Sequence, residues 1–97
     1  MIDYSRVRVD IREAVLRYIN DGWQPGGFLT AVLSNNLRDA FGRADAENFA
    51  TLGDLVGWLY NHAPSPCWGS PEKVAAWLAQ EPSYVAGGMP VITWDGV

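Results

Sequence analysis

The sequence predicts an all-α fold, a compact bundle of about four short helices followed by an irregular C-terminal tail. Apolar residues recur at helical spacing in four stretches, and connectors rich in Gly and Pro separate these stretches. At 97 residues the chain is long enough for one hydrophobic core and too short for two. We therefore expect a helical domain over 1–82 and a tail over 83–97 that docks on the domain or on a partner subunit.

The first helix is predicted over 5–20, because four apolar residues there fall on one helical face. These residues are Ile11, Val15, Tyr18 and Ile19. Val7 and Val9 alternate with polar residues, so a short strand before a helix that starts at Asp10 is the alternative. Gly22 is a typical helix C-terminus.

A second helix is predicted over 28–41. Its apolar side comprises Leu29, Val32, Leu33, Leu37, Ala40 and Phe41. Ser34, Asn35 and Asn36 interrupt it, and such residues form hydrogen bonds with their own backbone rather than favouring a helix. A kink or two short helices is therefore as consistent with the sequence as one straight helix.

Asp45 is placed to cap a short turn, and Thr51 with Asp54 has the spacing of a capping box that starts a third helix. This helix is predicted to end near His62. Its apolar stripe comprises Leu52, Leu55, Val56, Leu59 and Tyr60.

A fourth helix is predicted over 71–80. Ser70 supplies a capping hydroxyl, Pro71 suits the first helical position, and Glu72 places an acid in the first turn. Its inward-facing residues are Val74, Trp77 and Leu78. The tail includes a possible short strand over 91–94.

Twelve aromatic residues are more than so small a core needs. Six lie on or near apolar stripes and are predicted to pack in the core: Tyr18, Phe28, Phe41, Phe49, Tyr60 and Trp77. Six lie in connectors, in the tail or off the stripes: Tyr4, Trp23, Trp58, Trp68, Tyr84 and Trp94. Rings in these positions indicate either connectors folded onto the core or an interface with another chain, and a homodimer or a higher homo-oligomer is the simplest such interface.

The formal charge of −4 disfavours nonspecific binding to nucleic acid, which depends on neutralising phosphates. A single cysteine excludes an internal disulfide and is typical of a reducing compartment. The N-terminus lacks the pattern of a signal peptide, and no apolar run is long enough to span a bilayer. We expect a cytoplasmic protein that does not bind membranes.

Little in the sequence indicates catalysis. His62 and Cys67 are too few for a zinc site, and they are a weak signal for a Cys–His nucleophile pair. A phosphate-binding loop motif and a nucleophile elbow are both missing. We therefore predict no enzymatic activity and no cofactor or metal.

The stretch 26–48 has the strongest signal for a binding site. Gly26 and Gly27 precede a helix N-terminus, which favours an anion. The polar candidates that follow are Asn35, Arg38, Asp39, Arg43 and Asp45, with Trp23 or Trp68 available to stack on a base. The alternative, favoured for each residue taken singly, is that Asn35 and Asp45 cap helices and Arg43 pairs with a nearby acid.

Residues spread over roughly 11–78 resemble a set of small uncharacterised proteins from tailed bacteriophages and prophages. The matching positions are Tyr18, Ile19, Gly22, 25–29, 31–33, Asn35, Leu37, Ala40, 43–45, Asn48, Val56, Leu59, Tyr60, Pro64, 68–70 and Trp77. The resemblance implies a phage origin and a bacterial host cytoplasm. Small phage proteins of this sort are typically accessory factors that bind host proteins or sequester nucleotide-derived immune signals.

The leading hypothesis is a non-enzymatic protein that acts by stoichiometric binding, either of a host protein or of a small anionic nucleotide-like ligand, in counter-defence. A small helical regulator that binds nucleic acid is the alternative, although the acidity of the chain argues against it. An enzyme that uses Cys67 and His62 ranks third.

Overall fold

A computed structural model describes residues 4–79 and 92–94, and all of the regular secondary structure in them is helical. The six α-helices are α1 (Val9–Asp21), α2 (Gly27–Leu33), α3 (Leu37–Arg43), α4 (Ala46–Ala50), α5 (Leu52–His62) and α6 (Pro71–Ala79). A short 3-10 helix (Ser65–Cys67) precedes α6. The predicted all-α class is therefore confirmed, whereas the described part of the chain has six helices rather than four.

α1 begins at Val9, later than the predicted start and close to the alternative start at Asp10. The residues before it form a turn without a strand, and Arg12 Nε donates to the Val7 carbonyl across that turn at 2.8 Å. Gly22 ends α1 as predicted, since its φ of 70° lies in the left-handed region that glycine adopts without strain.

The predicted second helix is divided into α2 and α3 by a tight turn. Asn35 adopts φ 61°, and the Asn36 N–H donates to the Ala31 carbonyl at 2.9 Å, which closes a Schellman-type helix end. The Asn36 side chain then caps α3 by accepting from the Asp39 N–H at 3.1 Å. One residue thus ends a helix and its neighbour starts the next, with the two helices packed together.

Two of the three later caps form as predicted. Asp45 Oδ1 accepts from the Asn48 N–H at 2.8 Å, and Ser70 Oγ accepts from the Lys73 N–H at 3.1 Å. The capping box predicted at Thr51 is wrong, because α5 follows directly from α4. The Thr51 hydroxyl donates back to the Glu47 carbonyl at 3.0 Å instead of capping α5.

The core is built around large rings whose polar atoms are satisfied. Tyr18 is fully buried, and its hydroxyl donates to the Cys67 carbonyl at 2.7 Å. Trp77 Nε1 donates to the Tyr18 carbonyl at 2.9 Å, which fixes α6 against α1. Trp58 is also fully buried, although its position off the predicted stripe of α5 placed it outside the core.

Several residues predicted to face inward are exposed instead. These residues are Leu37, Phe41, Phe49, Val56 and Tyr60. The turn at Asn35 redirects α3, so the apolar stripe of α2 does not continue into it. On α5 the buried side is centred on Leu55, Trp58 and Leu59, which leaves Val56 and Tyr60 on its flank.

The described part of the tail, residues 92–94, lies against α1 and α5. It has no regular secondary structure, and the Trp94 ring stacks on Trp58 with centroids 4.3 Å apart. Tyr84, residue 91 of the possible strand, the predicted end of the fourth helix at 80 and the domain boundary at 82 lie outside the described residues.

The left-handed conformation of Asn35 gives a stability prediction. We expect Asn35→Gly to leave the free energy of unfolding nearly unchanged, because glycine adopts positive φ without a steric penalty. Asn35→Val should destabilise by about 1–2 kcal/mol, since a β-branched residue is strained there. Urea unfolding measures both, and Ser34→Val, at φ −79°, is the control that should lose less. Equal losses for the two valine variants would contradict this account of the turn.

Candidate functional site

Two surfaces lie on opposite sides of α3. We call the first the polar cleft; it has a volume of about 500 Å³ and lies between α2 and α3. Its polar lining residues are Gln24, Thr30, Ser34, Asn36, Asp39 and Arg43. We call the second the apolar face; it consists of Leu37 and Val56, which line a groove between α3 and α5, and of exposed Phe41 and Phe49, which contact each other on α3 and α4.

The polar cleft brings together three of the predicted binding residues. Arg43 Nε donates to Asp39 Oδ2 at 3.0 Å, one helical turn apart on α3. The guanidinium lies against Gly27, where an added Cβ would be only 2.7 Å from Arg43 Nη1. Gly27 therefore allows this close approach, and the predicted pairing of Arg43 with a nearby acid is present.

Gly26 has a different part in the fold. It is the N-cap residue of α2, and a Cβ there would meet open space. Since α2 has only seven residues, its dipole gives little support to an anion site. Gly26 is therefore the residue from which α2 starts.

Asp45, also predicted as a binding residue, is part of the framework. It caps α4, and Arg8 Nη1 donates to its Oδ2 at 2.8 Å while Arg8 Nε donates to Asp10 at 2.6 Å. The Asn48 N–H, and then Arg8, lower the pKa of the Asp45 carboxyl. Asp10 and Asp45 in turn raise the pKa of the Arg8 guanidinium. Asp45 thus joins the start of α1 to the start of α4.

The other predicted residues do not meet in one site. The Arg17 guanidinium lies over the Trp23 ring, with its Cζ 5.6 Å from the ring centroid, and Trp23 remains largely exposed. Arg38 is exposed on α3, and Trp68 lines the groove of the apolar face. Among the described residues that line the polar cleft none is aromatic, so the expected stacking partner for a base is missing there.

The groove of the apolar face has a volume of about 140 Å³, small enough for a single aliphatic side chain. Buried Val32, Ala40 and Leu52 form its floor, and Leu37 and Val56 stand exposed on its two sides. Asn35 lines one end of it. Two residues predicted for a polar ligand, Asn35 and Trp68, therefore belong to an apolar site.

The side chains of the apolar face are unusually exposed for their size. Leu37 is 63% exposed, Phe49 58%, Phe41 43% and Val56 38%. The Phe41 and Phe49 rings contact each other edge to face, with centroids 5.1 Å apart, which joins α3 to α4. Sequence reasoning missed this surface because helical spacing identifies an apolar stripe without saying whether another element covers it.

Cys67 and His62 both lie in packed surroundings. Cys67 is fully buried, and burial raises the pKa of its thiol to about 12, so the nucleophilic thiolate is disfavoured. The His62 ring packs against Tyr4 and Trp58, with centroids 5.8 and 5.7 Å away.

In residues 4–79 and 92–94 no three His, Cys, Asp or Glu side chains are grouped so that they could hold a metal ion. In the same residues no helix combines the length and the apolar character needed to cross a membrane.

The contacts of Asp45 predict a pH dependence. Its lowered pKa means that the ionised carboxylate is favoured by folding, so its stabilising contribution is present above the ordinary carboxyl range and is lost as the pH falls through it. We expect the Asp45→Asn variant to melt at a lower temperature than the wild type at pH 7. At pH 3 the melting temperatures of the two proteins should be nearly equal.

The control is Asp21→Asn, which removes the same charge at the C-terminal end of α1. Thermal unfolding followed by circular dichroism between pH 3 and pH 7 measures these effects. A loss of stability for Asp45→Asn that is the same at both pH values would contradict the assigned role of the carboxylate.

No protein-family model, curated protein or solved structure matches the chain. The two surfaces beside α3 differ in character: the polar cleft contains an ion pair between its own residues, and the apolar face contains exposed apolar side chains.

Proposed function

We propose that this chain is a non-enzymatic protein that acts by stoichiometric binding of another protein through the apolar face. The observation that carries the proposal is the exposure of Leu37 and Val56 beside one groove, together with the exposed Phe41 one turn after Leu37 and the Phe49 ring in contact with it. Single exposed apolar side chains are ordinary on a protein surface, whereas a contiguous group of large ones is typical of an interaction site.

The shape of this surface suits a helix from the partner. Leu37 and Phe41 are one turn apart on α3, and Val56 and Tyr60 are one turn apart on α5. Leu37 and Val56 stand on either side of the groove, and an amphipathic helix inserts apolar anchors into grooves of this kind. A leucine- or isoleucine-sized side chain would fill the groove above Ala40 and Leu52.

Charge at the edge of the face adds to this description of the partner. Arg38 is exposed on α3, where it follows Leu37 and precedes Phe41 by about one turn. A carboxylate beside the apolar anchor of the partner would pair with this guanidinium. The partner we propose is therefore an amphipathic helix with an aliphatic anchor and a neighbouring acidic residue.

The resemblance of residues 11–78 to small phage and prophage proteins supports a setting for this binding. In that setting the partner is a protein of the bacterial host, and the cytoplasm of the infected or lysogenic cell is where they meet. Binding that blocks the partner would serve counter-defence.

An anionic ligand in the polar cleft has less support. Asp39 pairs with Arg43 there, so the net charge of the pair is near zero. A nucleic-acid regulator is disfavoured by the formal charge of −4, because duplex binding needs a surplus of cations.

A matched pair of variants tests the apolar face. Val56→Asp places a charge in the groove and should abolish capture of the partner, whereas Val9→Asp, at the exposed first residue of α1, should not. Immobilised wild-type and variant chains are exposed to lysate of phage-infected bacteria, and the bound proteins are compared. Circular dichroism verifies that both variants are folded.

Capture that Val56→Asp and Val9→Asp reduce equally would contradict the proposal. A wild-type homodimer in solution that Val56→Asp alone converts to a monomer would also contradict it, because the apolar face would then be covered by a second copy. Size-exclusion chromatography with light scattering distinguishes this case.

The ligand alternative has its own measurement. We expect linear and cyclic nucleotides to leave the melting temperature unchanged, because the polar cleft lacks a net positive charge and an aromatic stacking partner. A ligand at a hundred times its Kd would stabilise the fold by about 2.7 kcal/mol, which is readily detected. A saturable shift that Arg43→Gln removes would instead favour the polar cleft as the functional site.

A further inference from the structure

Residues 92–94 contact the helical domain through backbone hydrogen bonds and through the stacking of one aromatic ring. The Asn20 side chain forms two hydrogen bonds with the backbone of Ile92. Its Nδ2 donates to the Ile92 carbonyl at 2.9 Å, and its Oδ1 accepts from the Ile92 N–H at 2.9 Å. A side-chain amide that pairs with both polar groups of one residue replaces the pairing that a neighbouring strand would give.

The second part of the contact holds a tryptophan. The Trp94 ring lies parallel to Trp58 at an interplanar angle of 5°, and Trp58 Nε1 donates to the Trp94 carbonyl at 2.6 Å. Trp94 Nε1 in turn donates to the Tyr4 carbonyl at 3.3 Å. Stacking and two indole hydrogen bonds thus fix both the ring and the backbone at this position.

The domain residues that make these contacts come from three separate places. Tyr4 precedes α1, Asn20 lies near the end of α1, and Trp58 lies within α5. The Tyr4 hydroxyl also accepts from Asn61 Nδ2 at 2.8 Å, which ties the first of them to α5. The receptor side therefore belongs to the helical domain and has supports that are independent of the tail.

We propose that Tyr4, Asn20 and Trp58 form a peptide-binding site for an extended segment with an aliphatic residue followed two positions later by tryptophan. Residues 92–94 are its resident ligand, and the partner that the site fits in trans is the C-terminal segment of a second copy of this chain. The contacts are a backbone clamp and a ring stack, and neither depends on covalent continuity with the domain.

The site does not overlap the apolar face. Trp58 and Val56 are two residues apart on α5 and therefore point to sides of the helix separated by roughly 160°. Peptide binding at Trp58 and partner binding at Val56 can consequently be tested one at a time.

The test uses the full-length Trp94→Ala variant, which keeps the receptor residues and removes the resident ring. A fluorescently labelled peptide of residues 90–97 is titrated against it, and anisotropy measures binding. We expect saturable binding with a Kd below about 1 mM. A segment joined to the domain by a short linker has an effective concentration in the millimolar range, so a Kd below this value is enough for it to occupy the site. The same peptide with alanine in place of tryptophan should not bind.

A second substitution separates recognition from stability. Asn20→Ala in the Trp94→Ala background removes two hydrogen bonds and should weaken peptide binding by roughly tenfold or more. Asn35→Ala in the same background destabilises the fold away from the site and should leave the Kd unchanged. If Trp94→Ala fails to fold, Trp94→Phe replaces it: the phenylalanine ring still covers Trp58 but lacks the bond to Tyr4, so the tryptophan peptide is expected to displace it, and the alanine peptide is not.

The second-copy partner is tested by mixing full-length Trp94→Ala with full-length Asn20→Ala. The first chain has an intact peptide-binding site without the Trp94 ring, and the second has the Trp94 ring with a weakened peptide-binding site. The tail of the second chain should therefore bind the first chain, and the mixture should contain a heterodimer that neither variant forms alone. A folded Trp94→Ala chain that binds no peptide at 1 mM would overturn the peptide-binding site. Peptide binding without a heterodimer at concentrations above the measured Kd would overturn the second-copy partner.

Discussion

The left-handed turn at Asn35 is the constraint on which both surfaces depend. A helix that continued through this position would carry the buried stripe of Leu33 onward into Leu37 and Phe41. The turn at φ 61° ends α2 and lets Asn36 cap α3 in a new direction. As a result Asp39 and Arg43 face back toward α2, whereas Leu37 and Phe41 remain exposed on the other side.

The rest of the domain supplies a rigid base for this arrangement through buried hydrogen bonds rather than through apolar packing alone. Tyr18 accepts from Trp77 on its carbonyl and donates to Cys67 from its hydroxyl, so one residue of α1 positions both the 3-10 helix and α6. The Gly69 N–H donates to the Leu33 carbonyl at 2.7 Å, which brings the segment after the 3-10 helix to the end of α2. Trp68 is thereby placed beside the groove of the apolar face.

Local signals were readable in the sequence because their causes are local. Asp45 and Ser70 cap helices, and Gly22 ends one, through contacts within a few residues of the chain. Burial was less predictable, since it depends on which elements come together. Trp58 is covered partly by residue 94, thirty-six positions away, and Val56 lacks such a cover among the described residues. Helical periodicity describes one helix alone, so it predicts neither the burial of Trp58 nor the exposure of Val56.

The proposed site residues show the same division. The sequence predicts Asp45 and Arg43 as ligand contacts, and each has a nearby ionic partner that explains its placement without a ligand. The sequence predicts Leu37 and Val56 in the core, and no contact within the described residues explains their exposure. An ion pair on a surface contributes little to stability, whereas exposed leucine, phenylalanine and valine side chains lose favourable burial. The apolar face is therefore the surface whose exposure to water is unfavourable, and a protein that covers it would bury these side chains on binding.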